Sequence, residues 1–159
     1  MRPLAPADID FLAIAPLRIT ASARLRVSPA LVFTAFADAS EWTQWWPMMT
    51  TSRWTAGAGG IGAEREVAVR MLGSFREQMI AWEPDVRFAF TMIASSSPIA
   101  SQIAEDYRLT PDGAGTRVDW LLAARPNALG KLATPVVRTV MSRMFVRGMN
   151  NLDHLLSAN

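Results

Sequence analysis

Four polar side chains fall where the alternation of strand residues calls for apolar ones. Arg65 stands in the run Ile61, Ala63, Val67, Val69, and Glu77 lies between Phe75 and Met79. Glu105 and Tyr107 share a face with Ile103 and Leu109. Successive strand residues point to opposite sides, so all four are directed to a buried face. Trp120, beside Val118 and Leu122, joins them with an indole N–H that needs a partner. These groups carry chemistry. Glu77 or Glu105 could give or take a proton, Arg65 could polarise a carbonyl, and Tyr107 could donate a hydrogen bond. The same set also reads as structure. A stranded buried charge costs several kcal/mol, so Arg65 demands a carboxylate, and Glu77 is expected within diagonal reach on the neighbouring strand. Both readings stand, and no residue is assigned as catalytic.

Other chemistries are poorly served. The chain has no Cys, hence no thiol nucleophile, disulfide or zinc-thiolate site. Its single histidine, His154, falls at the edge of a polar helix face near the chain end. No metal or cofactor is expected. Gly57, Gly59 and Gly62 spell G-x-G-x-x-G, but a dinucleotide site needs a helix next, and an alternating strand pattern follows, so a hairpin turn is expected. The formal charge is +2, from 15 Arg, 1 Lys and 14 acids scattered along the chain, although the pI is 9.9. No basic stripe interleaved with aromatics predicts nucleic-acid binding. No apolar run of about 18 residues predicts a transmembrane helix. Asp8 and Asp10 stand where a signal peptide would be apolar, and a cytoplasmic protein is expected.

The elements that must position these residues are legible from period changes. Positions 17–27 alternate apolar and polar, then Ser28-Pro29 switches the period to helical, with Ser28 as cap and Pro29 as first helical residue. A second short helix over Ser40–Trp46 stops at Pro47. Six further strands follow near 48–55, 61–70, 75–83, 86–94, 99–110 and 116–124, separated by short turns, which predicts an antiparallel meander. Thr134-Pro135 predicts the start, or a kink, of a long helix ending near 156. Val137, Val140, Met141, Met144, Gly148, Leu152 and Leu155 share its apolar face. Residues 1–16, with three prolines, read as an extension holding a short helix near Asp8–Ala13; residues 17–159 read as one domain.

Several segments, in this order, resemble the START-like helix-grip (SRPBCC) superfamily, within it the polyketide cyclase/dehydrase-like proteins. They are Val27-Ser-Pro-Ala-Leu-Val-Phe, Trp42-Thr-Gln-Trp-Trp-Pro47, Ile61-Gly62-Ala63, Trp82-Glu-Pro-Asp-Val-Arg-Phe88 and Gly115-Thr116-Arg117-Val118. The resemblance spans about 17–156. It implies an α+β fold: a curved seven-stranded antiparallel sheet gripping a long C-terminal helix, two short helices after the first strand, and an apolar cavity between sheet and helix. It also implies that the glycine loop forms part of the cavity mouth.

On that fold the expected cavity residues are Arg65, Glu77, Phe88, Phe90, Met92, Glu105, Tyr107, Trp120, Val140, Met141, Met144 and Gly148. Trp42, Trp45 and Trp46 either stack on a flat ligand or pack the short helices onto the sheet. Gly148 either opens cavity space or permits close helix–sheet approach. The expected partner is a small hydrophobic molecule, a lipid or aromatic polyketide-like compound. A polyketide aromatase/cyclase or dehydratase and a regulator acting through a protein partner are the alternatives.

Overall fold

The computed structural model describes residues 1–158. A two-residue strand β1 (Arg2–Pro3) and a one-turn helix α1 (Phe11–Ile14) precede β2 (Leu17–Leu25). Helix α2 (Pro29–Ala37), a 3₁₀ turn (Ala39–Glu41) and α3 (Trp42–Trp45) lead to β3 (Met49–Ala56). Strands β4 (Glu64–Val69), β5 (Gly73–Glu83), β6 (Arg87–Ser95), β7 (Ala100–Asp112) and β8 (Gly115–Pro126) follow, then α4 (Ala128–Ser157). The sheet runs β2-β8-β7-β6-β5-β4-β3, every pairing antiparallel, with β1 beside β6. The expected α+β meander around a C-terminal helix is therefore the observed fold, with β1 added to its seven strands.

One helix cap and one helix start differ from expectation. Pro29 does open α2, but the Ser28 hydroxyl makes no capping bond. The Ser28 carbonyl accepts from the Leu31 and Val32 N–H groups instead. Helix α4 begins at Ala128, about two turns before Pro135. Asn127 provides the earlier cap, its side-chain oxygen accepting from the Gly130 N–H at 3.0 Å. Pro135 then sits inside the helix. It cannot donate to the Lys131 carbonyl, but both residues are exposed, so water can serve that group.

The two halves of α4 behave differently, and this shapes the site. In its C-terminal half Met144, Phe145, Gly148, Met149 and Leu152 are buried; in its N-terminal half only Gly130 is. The helix thus grips the sheet at one end and stands off it at the other, leaving room beneath Val137, Val140 and Met141.

The N-terminal segment completes the sheet. Strands β6 and β7 pair only from Arg87↔Arg108 to Thr91↔Ala104. Past that point residues 2–7 lie in the fork. The Leu4 N–H donates to the Ile93 carbonyl, the Ala5 N–H to the Ser101 carbonyl, and the Ala7 N–H to the Thr91 hydroxyl. Leu4 reaches the main core, while Phe11, Leu12 and Ala15 cover Ala104 and Ala123 in a separate small cluster.

Gly130 marks the contact between α4 and the β6–β7 loop, since a Cβ there would overlap the Ile99 carbonyl oxygen. Gly→Ala within a helix ordinarily gains about 1 kcal/mol. Gly130→Ala is expected to reverse that sign and lower the melting temperature, read by thermal denaturation.

Candidate functional site

Antiparallel register places Arg65 directly opposite Glu77, closer than the diagonal relation expected. Arg65 Nε donates to Glu77 Oε2 at 2.7 Å, and both side chains are buried. The guanidinium lies 4.2 Å from the Trp42 ring centre, 5.1 Å from Phe90 and 5.6 Å from Phe88. Its Nη1 and Nη2 are buried without a hydrogen-bond partner. Ring faces carry negative potential, so these three rings supply part of the compensation that water would give. Burial pushes the Glu77 carboxyl up from its ordinary value, and the Arg65 charge and hydrogen bond pull it back down.

Two strands along the sheet, beyond β6, is a second buried acid. Glu105 Oε2 accepts from both the Tyr107 hydroxyl and the Trp120 Nε1–H, each at 2.8 Å. Burial pushes Glu105 up to about 7; those two bonds and the Arg65 charge pull down, and the charge on Glu77 adds to the rise. Burial, with the charge on Glu105, also drives Tyr107 well above its ordinary value, so the phenol keeps its proton at neutral pH. The indole of Trp120 stacks on Phe145 of α4, with ring centres 5.2 Å apart and planes 7° from parallel. That stack fixes one of the two donors to Glu105.

Between this wall and the raised half of α4 is a cavity of about 200 Å³. Of the residues expected there, Arg65, Glu77, Phe90, Met92, Glu105, Tyr107, Val140 and Met141 line it. Phe88, Trp120, Met144 and Gly148 do not. Phe88 is enclosed by the rings of Phe33, Phe36, Trp42 and Trp82. Trp120 lies behind Glu105. Met144 is on the half of α4 that presses onto the sheet, and a Cβ on Gly148 would lie 3.1 Å from Trp46 Cε3 and 3.2 Å from Pro47 Cδ. Gly148 serves close approach, not cavity space.

The lining also includes Trp42, Trp46, Val67, Val69, Phe75, Ile103, Leu122 and Ala124. Strand alternation could have found Val67 and Val69, which share the face of Arg65. Val136 and Leu72 were beyond it, because they depend on where α4 stands off. Val136 lines the cavity and is 67% exposed, so the cavity reaches the surface there. The glycine loop does not form the mouth: its residues are absent from the lining, and Gly59, at φ 117°, lies against Trp82, where a Cβ would meet Cζ2 at 2.8 Å. A strand follows it, as a hairpin turn requires. His154 is exposed. Among the described residues, no three His, Cys, Asp or Glu side chains are grouped to hold a metal ion. No helix among them is long and apolar enough to cross a membrane.

A curved antiparallel sheet closed by one long helix over a cavity is the helix-grip fold, and solved structures share it. The aromatase/cyclase ZhuI from Streptomyces sp. R1128 superposes with TM-score 0.75 at 14% identity, over 89% of this chain and 93% of its own. Ara h 8.0201 does so with TM-score 0.70 at 14% identity, over 90% and 99%. Residues 16–156 match the family described as polyketide cyclase / dehydrase and lipid transport, and the chain belongs to that family. Uncharacterized proteins of Mycobacterium tuberculosis and Mycobacterium bovis are 29% identical over 161 residues, covering 99% of this chain and 95% of theirs.

Two outcomes test the wall. Arg65→Met strands the Glu77 carboxylate and should lower stability by about 3–5 kcal/mol, while Arg65→Met with Glu77→Leu should recover most of the loss. Denaturant titration of both variants measures this. Glu105, ordinarily near 4.5, is raised to about 7. Between those values the folded state holds a proton that the unfolded chain has released. Its contribution to stability is therefore full below about 4.5, falls as pH rises to about 7, and is flat beyond. Glu105→Gln should remove that slope and raise the melting temperature at pH 8 relative to the parent.

Proposed function

We propose that the cavity binds a small, mainly apolar molecule with one polar end, and that the protein carries or presents this ligand. The observation that carries the reading is the distribution of polarity on the walls. Val67, Val69, Phe75, Met92, Ile103, Leu122, Val137, Val140 and Met141 surround the space, and its ionisable groups gather on one wall as Arg65, Glu77, Glu105 and Tyr107. Apolar pockets with a few convergent polar groups are the usual form of small-molecule sites. Membership of a family whose description includes lipid transport supports the reading. The methionines on α4 and β6 suit a ligand of variable shape.

A cyclase or dehydratase is the second reading. Its support is Glu105, an acid poised to hold a proton near neutrality beside the Tyr107 hydroxyl. The family description names these activities, and ZhuI is an aromatase/cyclase. Binding without turnover is preferred because of Arg65. The group expected to stabilise a developing oxyanion has no exposed surface, with its Nε on Glu77 and its plane against aromatic rings.

Ala124 offers a clean block. It lines the cavity from β8 and makes no side-chain polar contact. Ala124→Trp should fill the space and abolish the fluorescence rise of N-phenyl-1-naphthylamine while the fold persists by circular dichroism. A variant that is folded and binds the dye as the parent does would place binding elsewhere. Native mass spectrometry of the purified parent should also show a co-purifying small molecule that the variant lacks.

A further inference from the structure

We infer that the polar end of the ligand is an uncharged hydrogen-bond acceptor, such as a ketone or ester carbonyl, received by Glu105 in its carboxylic-acid form through Oε1. The inference rests on the reading of the cavity as a binding site for an apolar ligand. It assigns the polar contact to Glu105, one of several polar residues between which the sequence left the choice open.

The geometry separates the two oxygens of Glu105. Both donors that reach it, Tyr107 and Trp120, fall on Oε2. No salt bridge reaches this carboxyl: the nearby guanidinium of Arg65 is committed to Glu77. A carboxyl whose Oε2 accepts two hydrogen bonds takes its proton on Oε1, which then points a donor at whatever lies beside it. Glu105 lines the cavity, and both donors are rigidly placed, Tyr107 fully buried and Trp120 stacked on Phe145. Burial favours this protonated form up to about pH 7.

Charge then selects the partner. The groups facing Glu105 are Arg65 from β4, Glu77 from β5 and Tyr107 from β7. Phe90 stands opposite it on β6, and Trp42 and Trp46 close the space from α3 and the residue after it. The arginines of α4, Arg138, Arg143 and Arg147, are exposed and do not face it. With Arg65 paired to Glu77 and Glu105 holding its proton, a ligand carboxylate or ammonium would enter without a counter-ion of its own. A neutral carbonyl adds no charge and can accept from Oε1; the Nη groups of Arg65, which also lack a partner, have no exposed surface.

Three probes of one shape test this on the intact protein: acetylnaphthalene, ethylnaphthalene and naphthylethylamine, titrated calorimetrically from pH 5.5 to 8.5. The ketone should bind with constant affinity below pH 6 and weaken about tenfold per pH unit well above pH 7, where binding must draw a proton from solution. Repeating the titration at pH 8 in buffers of different ionisation enthalpy should show close to one proton taken up. Ethylnaphthalene should depend on pH less, and Glu105→Gln, which keeps a donor, should bind the ketone independently of pH. An identical pH response for ketone and hydrocarbon overturns the inference and leaves the cavity reading standing. So does naphthylethylamine binding more tightly than the ketone below pH 6, where Glu105 holds its proton. Failure of all three probes to bind at any pH overturns the cavity reading and the inference with it.

Discussion

A guanidinium with no exposed surface has to be neutralised where it lies, and much of this molecule's concave face is arranged around Arg65. Glu77 meets it across the β4–β5 register, and Trp42, Phe88 and Phe90 surround its plane. These groups come from three strands and a short helix, so the ion pair fixes how α3 seats on the sheet. The Trp42 indole donates to the Phe36 carbonyl at 2.9 Å, which ties the same ring to α2. Net energetic gain from such a pair is small, because desolvation consumes most of the attraction. Its effect is on arrangement: alternative packings of α2 and α3 take the Trp42 ring off the guanidinium and leave its Nη groups without that compensation.

The cavity follows from a division of labour along α4. A 30-residue helix could in principle bury one stripe throughout. Here large apolar residues are buried only from Met144 onward, and Gly148 lets the helix approach Trp46 and Pro47. The first half instead rests on the β6–β7 loop through Gly130 and on Asn127, whose amide donates to the Pro98 carbonyl. Held at both ends, the helix bridges a space that its side chains do not fill. Thr134 bonds back to the Gly130 carbonyl and Thr139 to that of Pro135, giving the unsupported stretch extra local hydrogen bonds around the proline.

Residue alternation made the strands, their inward faces and the four interrupting polar groups legible in the sequence, because period two follows from backbone geometry alone. The partner of Arg65 was narrowed to Glu77, Glu105 or Tyr107, with Glu77 on the neighbouring strand, and the β4–β5 register settles it on Glu77. What remained hidden was set by long-range contact. The start of α4 was placed at Pro135 because that proline was read as a first helical residue, whereas Asn127 caps the helix earlier and the proline is tolerated on an exposed face. Phe88, Trp120, Met144 and Gly148 share the inward faces of true cavity residues, but inward is not the same as unfilled. Which inward positions are left open depends on where α2, α3 and the end of α4 close down, and no local pattern encodes that. The role of residues 2–7 was hidden for the same reason: the fork they occupy exists only because β6 and β7 diverge after Thr91 and Ala104.

The two buried acids show how one environment gives two roles. Both lie on the same wall, and burial raises both. Glu77 has a cation 2.7 Å away and is spent on it. Glu105 has only neutral donors, a phenol and an indole, and both occupy one oxygen. Neutral donors stabilise a carboxylate less than a guanidinium does, and the charge kept on Glu77 adds to the cost of ionising Glu105. Burial is what leaves Glu105 with its proton near neutrality, and spending Arg65 on Glu77 keeps an ion pair from undoing it. The positive charge is fixed on the acid that needs no ligand, which makes the other acid the group able to respond to one.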